Sequence, residues 1–330
     1  MFCIPSLTPE FGTNVSPTNT SPEPNDLSDL SVEGANVIAS PSAWKRLRRH
    51  PSVIIGGFLM LLIMLLVPLA SVLTPLDPTE INPRNRNKVP GYEAVYKNDD
   101  GEKYTVTAHM GTDKLGRDVF TRVIYGARVS LIVGLSVAAI SVAIGLFIGL
   151  VAGYFRLVDA IVMRVMDGLM AIPAILLAIA LVSLSGATLF TVIIAIVIPE
   201  IPRVVRLVRS IVLSIREEPY VEAAISVGTP TRKILTRHVL PNTIAPLIVQ
   251  GTFICGSAIL LEAILSFLGV GVPPEIPTWG NIMAQGRDLF QIYPHSIFYP
   301  GVFLTLTVLA INMLGDGLRD TIDPRMAKEI

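Results

Sequence analysis

Charge is scarce in this sequence: charged residues make up 16% of the 330 positions, whereas soluble chains carry about 25%. Lys and Arg balance Asp and Glu at 26 each, so bulk charge gives no support for nucleic-acid binding. Only two cysteines are present, Cys3 in a polar tail and Cys255 in an apolar run, which excludes a disulfide scaffold and a paired-cysteine metal site. Hydrophobic residues reach 51%, so we expect a lipid bilayer to surround much of the chain.

The motifs of soluble enzymes are also missing. No lysine lies in a GxxxxGK[ST] loop, so the chain has no P-loop to hold a nucleotide. The four histidines are scattered, with no HExxH pair and no His/Cys pair at metal-ligand spacing, and no GxSxG elbow is present. We therefore expect no catalytic residue, no metal site and no cofactor in this chain.

The N-terminal region differs in composition from the rest. Residues 1–43 are rich in Pro, Ser and acids and contain no Lys or Arg, which predicts disorder. A basic cluster follows, and then an uncharged run from Val53 to Thr74 that is long enough to cross a bilayer. A cleaved signal peptide is disfavoured, because its apolar region is shorter and would not follow a long polar tail. We expect a disordered tail with a basic segment over 1–52 and a transmembrane domain over 53–330.

Further apolar runs have the length of membrane spans. They lie at about 129–155, 161–184, 187–202, 243–268 and 296–315. The sequence therefore predicts an all-α polytopic membrane protein with six transmembrane helices. Gly145 and Gly149 have the small-xxx-small spacing that lets two helix backbones approach closely, although a merely tolerated membrane glycine explains them equally well.

Basic residues near the span ends predict the orientation. With the N-terminus inside, the inner segments hold sixteen Lys and Arg and the short outer loops hold only Arg287, the bias expected of cytoplasmic loops. The stretch Leu76–Arg128 would lie outside although it carries nine Lys or Arg; eight acids nearly balance them. We therefore expect a multi-pass protein of the cell membrane with both termini in the cytoplasm.

The long loop between the fourth and fifth spans predicts a cytoplasmic helical hairpin over about 217–237. Its first helix is expected over Tyr220–Val227 and to end at Gly228 in the left-handed conformation, which glycine adopts at little cost. Such a hairpin, with two adjacent alanines, can seat in a groove of another protein. A pair of helices lying on the lipid headgroups is the alternative.

The second helix of the hairpin is expected to start with Thr229 as its N-cap and Pro230 as its first residue. Leu240-Pro241 is expected to stop it and to open the fifth span. His238 lies near its end, where packing or an interaction with the helix dipole is favoured over a role as a ligand.

Two acids fall inside predicted spans, where ionisable groups are costly and face a cavity or a partner. Asp167 has Arg164 three residues earlier, so an ion pair within the helix is a sufficient structural explanation. Glu262 has no basic neighbour at helical spacing, which leaves a partner on another helix and a position lining a pathway as equal alternatives. Both are candidate intramembrane polar or pathway residues.

The segment Gly269–Gln285 is rich in Gly and Pro and should fold back over the outer mouth of the bundle. Thr278 is expected to cap a short helix that begins near Trp279. We expect Trp279 to be a packing anchor of this extracytoplasmic gate.

The centre of the hairpin has a specific spacing: EAAxxxG, nine residues, then HVLPN. It resembles the coupling-loop signature of ATP-binding-cassette importer permeases. The resemblance covers about 45–325 and is specific to the dipeptide, oligopeptide and nickel subfamily, in particular its second permease subunit. It is carried by GTDKLGRDVFTRVIYGARVSL at 111–131, MRVMDGLMAIPAILLAI at 163–179, ILLEAILSFLGVGVPPEIPTWGNIM at 259–283 and LGDGLRDTIDPR at 314–325. Pro-Glu-Ile-Pro at 199–202 departs from it, since relatives usually carry a Trp and a less Pro-rich turn there.

The resemblance implies a type I importer permease that pairs with a homologous sister permease, docks two cytoplasmic ATPases and receives solute from an extracytoplasmic binding protein. ATP and Mg²⁺ would then be bound by the ATPases. The positions that match the coupling signature are Glu222, Ala223, Ala224 and Gly228. The positions that match a GTDxxGRD segment before the second span are Gly111, Asp113, Gly116, Arg117 and Asp118.

Together these observations predict ATP-driven import of dipeptides, oligopeptides or similar small solutes. An ion-coupled secondary transporter, with Asp167 and Glu262 as relay residues, is the first alternative. A membrane scaffold whose hairpin only recruits a partner is the second.

Overall fold

The computed structural model describes residues 47, 50–97 and 103–322. The chain divides into two units, 1–40 and 41–330, and every described residue belongs to the second. The predicted tail over 1–52 therefore lies almost entirely outside the described residues, and so does the basic cluster before the first span.

Helices make up most of the described chain and follow its apolar runs. Helix α1 covers Pro51–Leu73, α2 Val119–Tyr154, α3 Arg156–Met170, α4 Ala174–Ser185 and α5 Leu189–Arg216. They are followed by α6 at Pro219–Ser226, α7 at Thr231–Ile234, a π turn at Leu235–Val239, α8 at Leu240–Phe267, α9 at Trp279–Gly286 and α10 at His295–Ile322. Two short 3₁₀ turns lie at Pro83–Asn85 and Arg287–Leu289.

Four helical segments of the described chain are long and apolar enough to cross a membrane, or five if one bent pair of helices counts as a single span. The four are α1, α2, the continuous helix that joins α7 to α8, and α10. Helix α5 is not among them, because every eighteen-residue stretch of it holds at least three charged side chains. The predicted helical membrane fold is confirmed, and the count of six spans stays a prediction.

The predicted span at 161–184 is wrong as a single helix. Helix α3 ends at Met170, α4 starts at Ala174, and the two axes differ by 88°. Pro173 has no amide donor and disfavours the helical conformation at the residue before it, so the chain leaves the helix here. Pro246, by contrast, lies inside α8, which continues through it.

Helices α2 and α5 lie side by side and run in the same direction. The contact stripe on α2 consists of Gly145, Gly149 and Gly153, and it faces Val204, Val208 and Val212 on α5. A Cβ atom added at any of these glycines would lie 2.4 to 2.7 Å from the Cβ of its valine, far inside van der Waals contact. Only glycine permits this approach, which confirms the small-xxx-small interpretation.

A two-stranded antiparallel hairpin, β1 (Tyr92–Lys97) and β2 (Lys103–Ala108), is added to the expected all-α architecture between α1 and α2. Leu76, Ala94 and Tyr96 form a small core beneath it, separate from that of the helices. Burial raises the pKa of the Tyr96 hydroxyl. This hairpin lies at the end of the bundle where α2 begins.

Candidate functional site

The hairpin formed by α6, the turn at Gly228 and α7 is called the α6–α7 hairpin below. Gly228 has a φ of +78°, and its amide donates to the Ile225 carbonyl at 2.9 Å. The Thr229 amide donates to the Ala224 carbonyl at 3.0 Å, which completes a Schellman closure of α6. The predicted left-handed turn is confirmed. A Cβ added at Gly228 would meet no atom within 4 Å, so glycine is required for its conformation and not for space.

The second half of the hairpin differs from the prediction. Pro230 holds the N-cap position expected for Thr229, and α7 starts directly after it. Pro241 does not stop the helix: the π turn shifts the backbone hydrogen bonds by one residue and carries α7 into α8. The side-chain amide of Asn242 donates to the His238 carbonyl at 2.6 Å beside the missing Pro241 amide. One unbroken helix therefore joins the hairpin to the bundle.

One side chain of α6 is buried and most of its surface is open. Val221 is fully buried, whereas Glu222, Ala223 and Gly228 are exposed and Ala224 is half-buried. Three apolar side chains beside them are also exposed, namely Tyr220, Ile225 and Val227. An apolar surface of small residues that no described part of the chain covers is typical of a docking surface for another protein.

Polar and ring contacts join the helix ends around the hairpin, and the Thr231 hydroxyl of α7 lies 3.5 Å from the Tyr154 hydroxyl at the end of α2. Arg216, the last residue of α5, donates to the Tyr154 carbonyl at 3.3 Å and lies over the Tyr154 ring at 5.5 Å. The His238 ring lies 5.9 Å from that of Tyr220, which confirms its packing role. A polar cavity of about 370 Å³ adjoins these contacts, with charged lining residues Arg156, Asp159, Arg216, Glu217 and Glu222. Glu222 of the coupling signature therefore borders this cavity.

Asp167 lies in α3 and pairs with a different residue from the one expected. Its carboxylate accepts from Arg206 of α5 at 2.6 Å, and Arg164 is not its partner. A second pair, Asp159 with Arg209 at 2.7 Å, joins the same two helices. Asp167 and Arg206 are both exposed, so this pair lies on an open face of the described chain.

Glu262 is fully buried in α8. Its carboxylate accepts a hydrogen bond from the Ser266 hydroxyl, one turn later, at 2.8 Å. A partner on another helix is present, because the carboxylate also interacts with Thr278, the N-cap of α9. A position lining a pathway stays a prediction.

Trp279 occupies the position expected of a packing anchor. Thr278 caps α9 by accepting from the Asn281 amide at 3.1 Å, as the sequence predicted. The Trp279 side chain is fully buried, and its Nε1 donates to the Val123 carbonyl of α2 at 3.1 Å. Its role in transport stays a prediction.

The GTDKLGRD segment forms a tight turn before α2. Gly111 and Gly116 have φ values of +78° and +80°. Asp113 accepts from Arg117 Nε at 2.8 Å, and Arg117 also contacts Gln285 of α9. These contacts join the start of α2 to α9. The side chains of Asp113, Arg117 and Gln285 are buried and offer no polar group to a ligand in solvent.

Asp118 ends that segment as the N-cap of α2. Its carboxylate accepts from the Thr121 amide and hydroxyl, each at 2.7 Å. Burial raises the pKa of the Asp118 carboxyl, and the hydrogen bonds from Thr121 oppose the rise. The matched family position is thus a buried helix cap.

Glu200 of α5 is a buried acid that the sequence analysis did not select. It accepts from Arg203 Nη1 at 3.3 Å and from the Ser257 hydroxyl of α8 at 3.4 Å. Its signal in the sequence is an acid between two prolines inside an apolar run. Over residues 50–97 and 103–322, no group of three His, Cys, Asp or Glu side chains is placed to hold a metal ion.

The long apolar helices are those of a membrane protein with several spans, and the family comparisons agree. Residues 120–328 match the family described as binding-protein-dependent transport system inner membrane component. Residues 41–90 match the N-terminal transmembrane domain of oligopeptide transport permease C. The chain belongs to this family of transport permeases. It is a multi-pass inner-membrane permease component and is not itself a catalytic subunit.

Curated relatives cover most of the chain. A probable peptide ABC transporter permease of Sinorhizobium fredii is 50% identical over 299 residues, 91% of this chain and 98% of the relative. The dipeptide transport system permease protein DppC of Alkalihalophilus pseudofirmus is 40% identical, over 93% and 96% of the two chains. The oligopeptide transport system permease protein OppC of Bacillus subtilis is 34% identical, over 88% and 92%.

Proposed function

We propose that this permease works in an ATP-driven importer of peptides, with a homologous sister permease, two cytoplasmic ATPases and an extracytoplasmic binding protein. The observation that carries the proposal is the α6–α7 hairpin, whose open surface of small and apolar residues suits a partner. Peptide as the solute is supported by relatives named for peptide, dipeptide and oligopeptide transport. ATP and Mg²⁺ bind to the ATPases, so this chain needs no nucleotide site.

In this proposal Glu222, Ala223, Ala224 and Gly228 form the coupling surface. The alanines let α6 enter a groove on an ATPase, and Glu222 offers a carboxylate to a basic residue of that groove. Gly228 holds α7 at the angle that its left-handed turn defines. Both termini of the chain lie on this cytoplasmic side.

Movement of the hairpin reaches the membrane through two connections. The π turn makes α7 continuous with α8, and the Thr231 hydroxyl of α7 contacts the Tyr154 hydroxyl at the end of α2, to which Arg216 at the end of α5 also binds. When the ATPases close on ATP, the hairpins of both permeases move and the bundles rock. The cavity between the permeases then changes the side on which it is open.

The test is uptake of a radiolabelled dipeptide into membrane vesicles that contain the complete complex. We expect uptake that requires ATP and the binding protein and that persists when protonophores and sodium ionophores collapse the ion gradients. Uptake abolished by the ionophores would favour an ion-coupled transporter instead. Absence of uptake under all conditions would leave the membrane scaffold as the remaining alternative.

A further inference from the structure

Glu200 lies near the middle of the membrane. The facing pairs of α2 and α5 recur every four residues, beginning with Gly145 and Val204. Four residues earlier on each helix, the same register places Ser141 opposite Glu200. Ser141 is close to the centre of the uncharged stretch 129–155 of α2, a membrane-spanning helix. Because α5 runs parallel to α2, Glu200 shares that central depth.

The exposure of Arg203 indicates what surrounds this face of α5. It lies one turn from Glu200, about 4.5 Å closer to the α6–α7 hairpin. Its side chain is 51% exposed, whereas that of Glu200 is 5% exposed. A charged side chain in contact with hydrocarbon at this depth is costly, so such groups face a water-filled cavity or a protein partner. The exposed pair of Arg206 and Asp167 extends the same open polar surface toward the hairpin.

The Glu200 carboxylate is held only by long contacts. Its contacts with Arg203 and Ser257, at 3.3 and 3.4 Å, are longer than the roughly 2.7–2.9 Å of strong charge-assisted hydrogen bonds. The Ser141 hydroxyl, fully buried on the facing helix, has no hydrogen-bond partner among the described residues.

The backbone around Glu200 adds further acceptors. Pro199 and Pro202 supply no amide hydrogen, so the carbonyls of Ala195 and Ile198 lose their usual helical donors. In membrane proteins, helix backbone that lacks its donors is tolerated where it lines a polar cavity or is buried in protein. A carboxylate, hydroxyls and free carbonyls together suit an ammonium group.

We propose that Glu200 and Arg203 bind the charged end groups of a peptide as it crosses the membrane, Glu200 its ammonium and Arg203 its carboxylate. The inference rests on the proposed import of peptides and names residues that contact the solute. When a zwitterionic peptide binds, the long contact between Glu200 and Arg203 is replaced by two ion pairs, one between each side chain and the peptide group of opposite charge. It therefore passes the centre of the membrane without an unpaired charge.

The first test compares uptake kinetics in vesicles that hold the complete complex. We expect E200Q and R203Q each to lower the rate of ATP-driven dipeptide uptake about tenfold at low peptide concentration. Glu93→Gln is the matched control, because Glu93 is an exposed acid on β1, far along the chain from the site. Co-purification of the ATPases with each variant verifies that the complex assembles.

The second test asks whether Arg203 faces water, on a background in which Cys3 and Cys255 are replaced by serine. A charged, water-soluble thiol reagent should label a cysteine introduced by R203C, and transported dipeptide should slow the labelling. A cysteine introduced by Phe147→Cys, at an exposed apolar position of α2, should resist the same reagent.

The outcomes separate this inference from the proposed function. If the unmutated complex imports no dipeptide, the proposed function fails. If it imports dipeptide while E200Q matches the Glu93→Gln control, or if R203C is inert to the reagent, only this inference is overturned. A cross-link from R203C to the sister permease in place of labelling would assign the residue to the subunit interface and would also overturn it.

Discussion

Trp279 is the largest fully buried side chain of the described residues, and at the residue scale it gives the clearest stability prediction. Trp279→Ala should lower the free energy of unfolding by about 3–5 kcal/mol, because it leaves a cavity and removes the hydrogen bond to the Val123 carbonyl. Trp279→Phe fills most of the space and should cost less. Thermal unfolding in detergent, together with uptake in vesicles, measures both; if Trp279→Ala changes neither, the anchoring role is wrong.

Asp118 allows a test of the helix cap before α2. Asp118→Ala removes the acceptor of the Thr121 amide and should cost about 1–2 kcal/mol of stability. Asp118→Asn keeps a capping oxygen and should be tolerated, since burial already disfavours the charged carboxylate and raises its pKa. The shift in unfolding temperature of the two variants is the measurement, and equal losses would show that the charge, not the cap, is required.

At the scale of elements, the contact between α2 and α5 depends on the absence of side chains along one stripe. Gly149→Ala places a Cβ 2.7 Å from the Cβ of Val208, which should cost about 1–3 kcal/mol through overpacking. Gly168→Ala is the control, because a Cβ there meets nothing within 4 Å. In a double-mutant cycle with Val208→Gly, which removes the facing Cβ, Gly149→Ala should cost less stability than it does beside Val208; an equal cost in both backgrounds would contradict the contact.

The α6–α7 hairpin gives the prediction most closely tied to coupling. Gly228→Val should leave the spans inserted but weaken ATPase binding and ATP-driven uptake, because a β-branched residue is strained in the left-handed conformation by about 1–2 kcal/mol. Gly228→Asn tolerates that conformation and should retain more activity. Pull-down of the ATPases and vesicle uptake are the measurements.

Glu222→Lys provides a second test of the same surface through charge. If it opposes a basic groove residue, like-charge repulsion should reduce ATPase binding while the turn at Gly228 stays intact. Normal insertion, binding and uptake for both Gly228→Val and Glu222→Lys would leave the hairpin as an interfacial pair of helices on the lipid headgroups.

Local chemistry was readable from the sequence where it acts over a few residues. The glycine at 228 marks the left-handed helix end, and Thr278 marks the start of α9. In 92–97 and 103–108, tyrosine, valine and alanine recur at every second position, which is the period of a strand.

Features set by tertiary contacts were not readable in the same way. Proline breaks the chain between α3 and α4 but not within α8, so residue type alone does not decide where a span bends. The partner of Asp167 lies 39 residues away, and local spacing favoured Arg164 instead. The burial of Glu200 depends on the pairing of α5 with α2 and α8, which no single run reveals.

At the scale of the whole molecule, the structure places the β hairpin and the α6–α7 hairpin at opposite ends of α2. β2 leads into the turn before α2, whereas Arg216 beside the α6–α7 hairpin contacts Tyr154 at the last residue of α2. Labelling from the two sides of the membrane should therefore give opposite results at the two hairpins.

With an impermeant thiol reagent, cysteines at Glu93 and Glu275 should react from outside intact cells, and a cysteine at Glu218 should not. Glu275 is the target in the outer segment because it is exposed, whereas the nearby Gly280 is buried. A cysteine near Asn98 should also react from outside the cell, and one near Asp323 should not. Both positions fall among residues that the structure does not describe. Reaction of Glu218→Cys from outside would reverse the orientation; the basic residues before α2 make this a demanding test.

The helix that joins α7 to α8 has 37 residues and is about 55 Å long, so it reaches from one face of the membrane to the other. At its far end α9 lies directly against it, since a Cβ added at Gly280 would lie 2.7 Å from the Ala263 Cα. A body of this length works as a lever: when it pivots near its middle, the two ends travel in opposite directions. Under the proposed coupling, opening toward the cytoplasm and closing toward the binding protein are then one displacement, and the transporter needs no separate signal to time them.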